Sequence, residues 1–247
     1  MRTHLRKMSH HDNFIYLTFA LTLLLFSTAI AQQFFDESAQ RFVQSTTVIT
    51  LIVAVWGVKK EDFLLSRAAI FPIAIILTSQ LGYFLELYVL DFIHLILMLV
   101  FFISTTYQTT KQVILAGKVN SNTILGAICL YMLLGLIWAL IYTLAQLYFG
   151  DAFKGLNSTS EWYLVFPDLV YFSFVTLTTL GFGDVVPNLP MTRFLVYFQA
   201  IVGQFYLAVL VASLVGSRMS SLHEHKNQGL FHQQDTSHSS ESEHKKN

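Results

Sequence analysis

The stretch Thr176-Leu177-Thr178-Thr179-Leu180-Gly181-Phe182-Gly183-Asp184 sets the pair Thr178-Thr179 ahead of two alternating glycines and closes on a carboxylate. No loop in the chain assembles a nucleophile with a base, so the chemistry on offer here is that of backbone oxygen. Stripping water from a cation takes a set of carbonyls aimed at one axis. Aiming them so asks alternate residues to adopt left-handed backbone angles, which glycine takes with least strain. Gly181 and Gly183 stand at that alternation. A lone G-x-G would suit an ordinary loop equally well. Nine residues in this context, after a short segment opened by Pro167 and Asp168 and before a long apolar run from about Arg193, are far more specific.

Such a segment needs a scaffold to hold it, and composition says of what kind. The chain of 247 residues is 54% hydrophobic and 12% charged, with a mean hydropathy of +0.54. A soluble domain of this length could not hide so much apolar surface. Apolar runs fall at about 14–31, 43–58, 68–85, 91–107, 123–149 and 192–217. The first, on the order of 18 residues, just suffices for a helical crossing. Its rival is a secretory signal peptide, with Ala29-Ile30-Ala31 before Gln32 as the cleavage site. The fifth, at 1.5 Å per residue, reaches on the order of 40 Å and spans with tilt. The expected fold class is an all-α membrane protein with six transmembrane helices.

Basic residues orient it. With the N-terminus in the cytoplasm, the inner side receives Arg2, Arg6, Lys7, Lys59, Lys60, Arg67, Lys111, Lys118 and Arg218. The outer side receives only Arg41, Lys154 and Arg193. Six crossings then leave both termini cytoplasmic and the glycine-bearing loop outside, in a multi-pass protein of the cell membrane. Three parts are expected: a four-helix membrane domain over 1–116, a second domain over 117–219, and a polar tail over 220–247 with too few apolar residues to fold alone.

With the run from Pro167 to Gly216 assembled, the residues resemble the potassium-channel family, in a variant with Gly-Phe-Gly where Gly-Tyr-Gly is commoner. The resemblance implies a re-entrant pore helix from Pro167 to about Thr178, backed by Tyr171, Phe172 and Phe174, and a selectivity filter over Thr178, Thr179, Leu180, Gly181, Phe182, Gly183 and Asp184. It places potassium at the carbonyls of Thr179, Leu180, Gly181 and Phe182 and at the Thr179 hydroxyl. The permeant ion is then the one bound species and no cofactor is expected. One copy of the signature supplies a quarter of a ring, which implies a homotetramer in a lipid bilayer, with neither nucleic acid as partner nor enzymatic activity. Phe182 lacks the hydroxyl of the commoner tyrosine. Val175 stands where some bacterial members carry a glutamate that pairs with the aspartate matching Asp184. Gly203 sits where the family's inner-helix hinge lies, although glycine also serves close packing in membrane helices. Gln204, Leu207, Val211 and Val215, at i, i+3, i+7 and i+11, share one helix face and would line the cavity. A weakly selective cation channel and a non-conducting scaffold or regulatory subunit are the alternatives.

Other residues carry less. His94 is either a proton sensor or a satisfied interior histidine. Cys129, the one cysteine, allows no internal disulfide. The tail histidines His223, His225, His232, His238 and His244 lack the regular spacing of a metal site. Asn157-Ser158-Thr159 matches a glycosylation acceptor. Four helices before a pore pair resemble the voltage-gated layout, yet residues 91–107 hold no arginine or lysine. Each gating charge would be worth about 2.3 kcal/mol per 100 mV. Opening is therefore expected to depend only weakly on voltage, and a conductance–voltage curve as steep as several charges per subunit would contradict it.

Overall fold

The computed structural model describes residues 13–36, 40, 74–75, 77–78, 80–82, 85, 87–115, 121–157, 161–213 and 216. Its elements are α1 (Asn13–Phe34), α2 (Tyr88–Leu115), α3 (Ser121–Phe149), β1 (Phe153–Lys154), α4 (Trp162–Leu177), β2 (Val186–Pro187) and α5 (Pro190–Ser213). Four of the helices, α1, α2, α3 and α5, are long and apolar enough to cross a membrane. This is a mostly helical, multi-pass membrane protein. The run over 43–58 and most of that over 68–85 lie outside the described residues, as do the 220–247 tail and Val215.

One compact unit extends through Gln204; from Phe205 the chain continues as helix to Ser213. The first unit is built on α3. Leu17, Leu21 and Leu24 of α1 bury one stripe at i, i+4 and i+7, while Tyr16, Phe19 and Phe26 on the same helix stay exposed. Both faces are apolar, so it is packing and not polarity that separates them. Leu95, Met98 and Phe102 of α2 and Leu133, Leu136 and Leu140 of α3 complete this core, with Trp162, Phe166 and Val170 of α4. α1 runs unbroken through Ala29-Ile30-Ala31, and Ala31 is fully buried. His94, also fully buried, donates from Nδ1 to the Ile75 carbonyl at 3.0 Å and packs its ring 4.7 Å from that of Trp162. It is an interior histidine.

Two corrections to the expected architecture bear on the site. The short helix begins at Trp162 and not at Pro167, which sits inside it. Glu161, in extended backbone, offers its carbonyl to the N–H groups of Leu164 and Val165, both at 3.1 Å. Burial of Trp162, Val165 and Phe166 holds this extra turn, although the proline deprives the helix of one bond. The fold is also not purely helical. β1 and β2 pair antiparallel, Phe153 opposite Pro187 and Lys154 opposite Val186, so the loop after α3 is stitched to the segment after Asp184.

Moving the helix start changes what Asp168 does. It lies a turn and a half inside α4, 8% exposed, and accepts from Gln32 Nε2 at 2.6 Å, Asn157 N at 2.8 Å and Asn157 Nδ2 at 2.9 Å. The carboxylate ties α1, the loop and α4 together, and the acceptor asparagine of the sequon is one of its donors. Asp168→Ala would leave these donors unmet, and a loss of about 2–4 kcal/mol is expected. Thermal unfolding in detergent checks it, and Asp168→Asn should lose less because one acceptor oxygen remains.

Candidate functional site

α4 ends at Leu177, and Thr178 closes it in the right-handed region at φ −87° and ψ 0°. Its N–H and its Oγ1 both donate to the Phe174 carbonyl, at 3.0 and 2.6 Å. Beyond it the backbone changes hand. Thr179 at φ 61°, Gly181 at 58° and Gly183 at 80° are left-handed, with Leu180 and Phe182 between them outside that set. Thr179 is the one described non-glycine residue with positive φ. A threonine held there stores strain on the order of 1–2 kcal/mol. The alternation expected of Gly181 and Gly183 is present, and it reaches two residues further back than glycine alone reveals.

Three backbone bonds anchor the stretch to the end of α4: Thr179 N to the Thr176 carbonyl at 3.1 Å, Leu180 N to the Val175 carbonyl at 2.9 Å and Gly181 N to the same oxygen at 3.5 Å. The side chains turn outward in the single chain, with Leu180 61% and Phe182 66% exposed. A Cβ at Gly181 or Gly183 would meet nothing within 4 Å, so backbone angle and not space demands glycine at both.

Asp184 marks the far end. Its Oδ2 accepts from the Tyr171 hydroxyl at 2.7 Å and its Oδ1 from the N–H of Val185 at 3.0 Å. Tyr171 is thus a side-chain partner of Asp184, while Val175 is buried and supplies only its carbonyl to the stretch. The Tyr171 hydroxyl is the largest cause holding the Asp184 carboxyl below its ordinary pKa. Behind Asp184 stands Gly155, at φ +86°, so close that a Cβ there would run into the Asp184 carbonyl oxygen. Only glycine fits both that angle and that approach. Gln146 fixes the same loop, donating to the Gly150 carbonyl and accepting from Phe153 N, both at 2.9 Å. Thr192 Oγ1 reaches back from α5 to the Ala152 carbonyl at 3.0 Å.

Bulk behind the stretch comes from rings. Tyr142, Phe153 and Phe172 pack mutually with centroids 5.2–5.5 Å apart, and Trp138 adds to them at 5.9 Å from Tyr142. Of the three aromatics expected to back the stretch, Phe172 joins this cluster. Phe174 lies over Gly135 and Tyr171 reaches Asp184.

The remaining candidates lie on α5. Gly203 is buried, and a Cβ there would come 2.8 Å from Leu177 Cδ1 and 3.1 Å from the Leu177 carbonyl oxygen. The helix runs on through it, and this close approach supports the packing role. Gln204 is exposed, Leu207 half-buried and Val211 exposed, but Val209 on another face is exposed as well. Exposed side chains therefore occur on more than one face of this part of α5.

Residues 127–219 match the family model described as ion channel. Over 95 residues, 38% of this chain, the sequence is 33% identical to two-pore potassium channel 4 from Arabidopsis thaliana. The chain spans 31% of that protein's length. No solved structure matches the chain. The matched family segment takes in most of α3, all of α4, the Thr178–Asp184 stretch and α5. Residues 127–219 are thus similar to a family of channels rather than enzymes, and the resemblance to potassium channels carried by the signature residues is borne out over that segment.

The Asp184 contact makes a signed expectation. A carboxyl held below its ordinary pKa in the folded state adds stability that is present above the unfolded value and lost as pH falls through the folded one. Tyr171→Phe removes the chief cause, so the Asp184 titration should move up toward that of an ordinary aspartate. Carboxyl NMR titration of the two proteins checks the shift.

Proposed function

We propose that this chain is one subunit of a potassium-selective channel that conducts passively down the ion gradient, with Thr178, Thr179, Leu180, Gly181, Phe182, Gly183 and Asp184 as its filter. The observation that carries this is the left-handed angle at every second residue, Thr179, Gly181 and Gly183, directly after a helix C-terminus and inside the segment that matches the ion-channel family. Alternating hand turns successive peptide groups the same way, so that carbonyls of Thr179, Leu180, Gly181 and Phe182 replace a cation's hydration shell. α4 presents its negative dipole end to the same place, which favours a cation there.

One strand of carbonyls encloses nothing by itself. Four copies about one axis close the ring, and the exposed apolar side chains of Phe194, Tyr197, Phe198 and Ile201 on α5 give them surface to bury. In this reading 1–116 is a membrane domain without gating arginines, 117–219 the pore domain and 220–247 a cytoplasmic tail. The excess of basic residues on one side supports cytoplasmic termini in the cell membrane. Gln204, Leu207, Val211 and Val215 line the inner cavity.

Purified protein in a planar bilayer between unequal potassium and sodium solutions tests the function. The expected reversal potential follows potassium. A reversal near zero would mean a weakly selective cation channel, and no current a scaffold. Gly181→Ala, forced to a left-handed angle at a cost of about 1 kcal/mol or more, should abolish selectivity or conductance. Wild-type behaviour from that variant would remove the filter assignment.

A further inference from the structure

Three fully buried polar side chains join three helices behind the stretch. Gln199 of α5 accepts from the Tyr142 hydroxyl of α3 through Oε1. Its Nε2 donates to the Ser173 carbonyl of α4 at 3.0 Å and to Ser173 Oγ at 2.9 Å. Ser173 Oγ then donates to the Gly135 carbonyl of α3 at 2.7 Å. The direction of every bond is fixed. The Ser173 carbonyl can only accept, so the amide must face it with nitrogen, which leaves its oxygen for the tyrosine proton. No proton in the chain of bonds lacks an acceptor, and none has a second arrangement available.

Position gives the network its meaning. Ser173 and Leu177 are four residues apart on α4, and Gln199 and Gly203 four apart on α5. The two helices therefore meet along matched stripes, Gln199 against Ser173 and Gly203 against Leu177. Leu177 also takes the Tyr131 hydroxyl of α3 on its carbonyl at 3.0 Å. One turn of hydrogen-bonded helix lies between Ser173 and Thr178, so a shift at Ser173 carries undiminished to the first residue of the stretch. Apolar side chains of similar size would fill this space without a polar atom to satisfy. Polar bonds between membrane helices bring little stability over that alternative, but they do fix one register.

We propose that Gln199 is a positioning residue, one that holds α4 in register against α3 and α5, and that making and breaking its bonds sets how long the filter stays conductive. The proposal rests on the channel function above. It assigns a role to residues that touch no ion.

Single-channel recording in potassium tests it with Tyr142→Phe, Gln199→Met and Ser173→Ala, beside Leu21→Ala as a packing defect in the α1–α3 core. Loss of one such bond should change mean open time about tenfold, with unit current and reversal potential unaltered. Tyr142→Phe added to Gln199→Met should do no more than Gln199→Met alone, since the bond is shared. Leu21→Ala should lower the thermal midpoint and leave dwell times as they were. Should Gln199→Met not assemble, Tyr142→Phe, which keeps the ring and its packing, decides the matter. Wild-type dwell times in Tyr142→Phe and Ser173→Ala, or the same change in Leu21→Ala at equal loss of stability, overturn the positioning role and leave the channel function standing. A wild-type protein that passes no potassium current overturns the channel function itself, and this role with it.

Discussion

A backbone that changes hand at every second residue cannot bond to itself, and so must be held from outside. This constraint governs the region around Thr178–Asp184. From Thr179 to Gly183 three N–H groups find a backbone acceptor, Thr179 on the Thr176 carbonyl and Leu180 and Gly181 on that of Val175, all of them in the helix that precedes the stretch. Thr179 adds a strained angle that no glycine relieves. Such a stretch persists only where its ends are fixed, and both ends are. The near end is the helix terminus at Thr178, bonded twice to Phe174. The far end is Asp184, bonded to Tyr171 and backed by Gly155. Tyr171 belongs to the helix that forms the near end, so one rigid element sets the distance between the two.

That element is itself held from several sides. Asp168 binds it to α1 and to the loop, Trp162 and Phe166 seat it in the core, and Phe172 packs into the ring cluster with Tyr142 and Phe153. The two-residue pairing of β1 with β2 then joins the loop before α4 to the segment after Asp184. A short pairing contributes little stability alone. Its effect here is geometric, because it closes a circuit from α3 through the loop, across to β2 and on into α5, with the strained stretch inside.

Sequence made the stretch itself legible, since glycine at alternate positions states a backbone requirement directly. Thr179 escaped because a threonine carries no such mark, although extending the alternation back two residues reaches it. α2 continues past Tyr107 through a polar stretch to Leu115, whereas helix lengths for α3 and α5 were close to those of the apolar runs. The start of α4 was not, because Pro167 is a strong local signal for a first turn and burial of Trp162, Val165 and Phe166 overrides it. That error hid Asp168 as well: a carboxylate expected at the opening of the helix is a junction of three elements. Tyr171, 13 residues from Asp184, and Gly155, far from it in sequence, meet it only through the fold. No periodicity announces a contact of that kind.

The faces of the long helices were illegible for a different reason. Leu21 points into the core and Phe19 away from it, yet nothing in their chemistry separates them, since lipid and protein interior are equally apolar. Polar residues carry the information instead. Gln32, Asp168, Ser173, Thr192 and Gln199 each bond across elements. Gln204 is a polar residue on an apolar helix, and Gln199 answers to the same description. Five residues apart, they stand about 140° from one another around the axis. One is fully buried against Ser173 and the other exposed in the single chain. Two glutamines on one helix therefore face different surroundings, and the buried one ties α5 to the helix that carries the stretch, leaving the exposed one to whatever fills the space beside it.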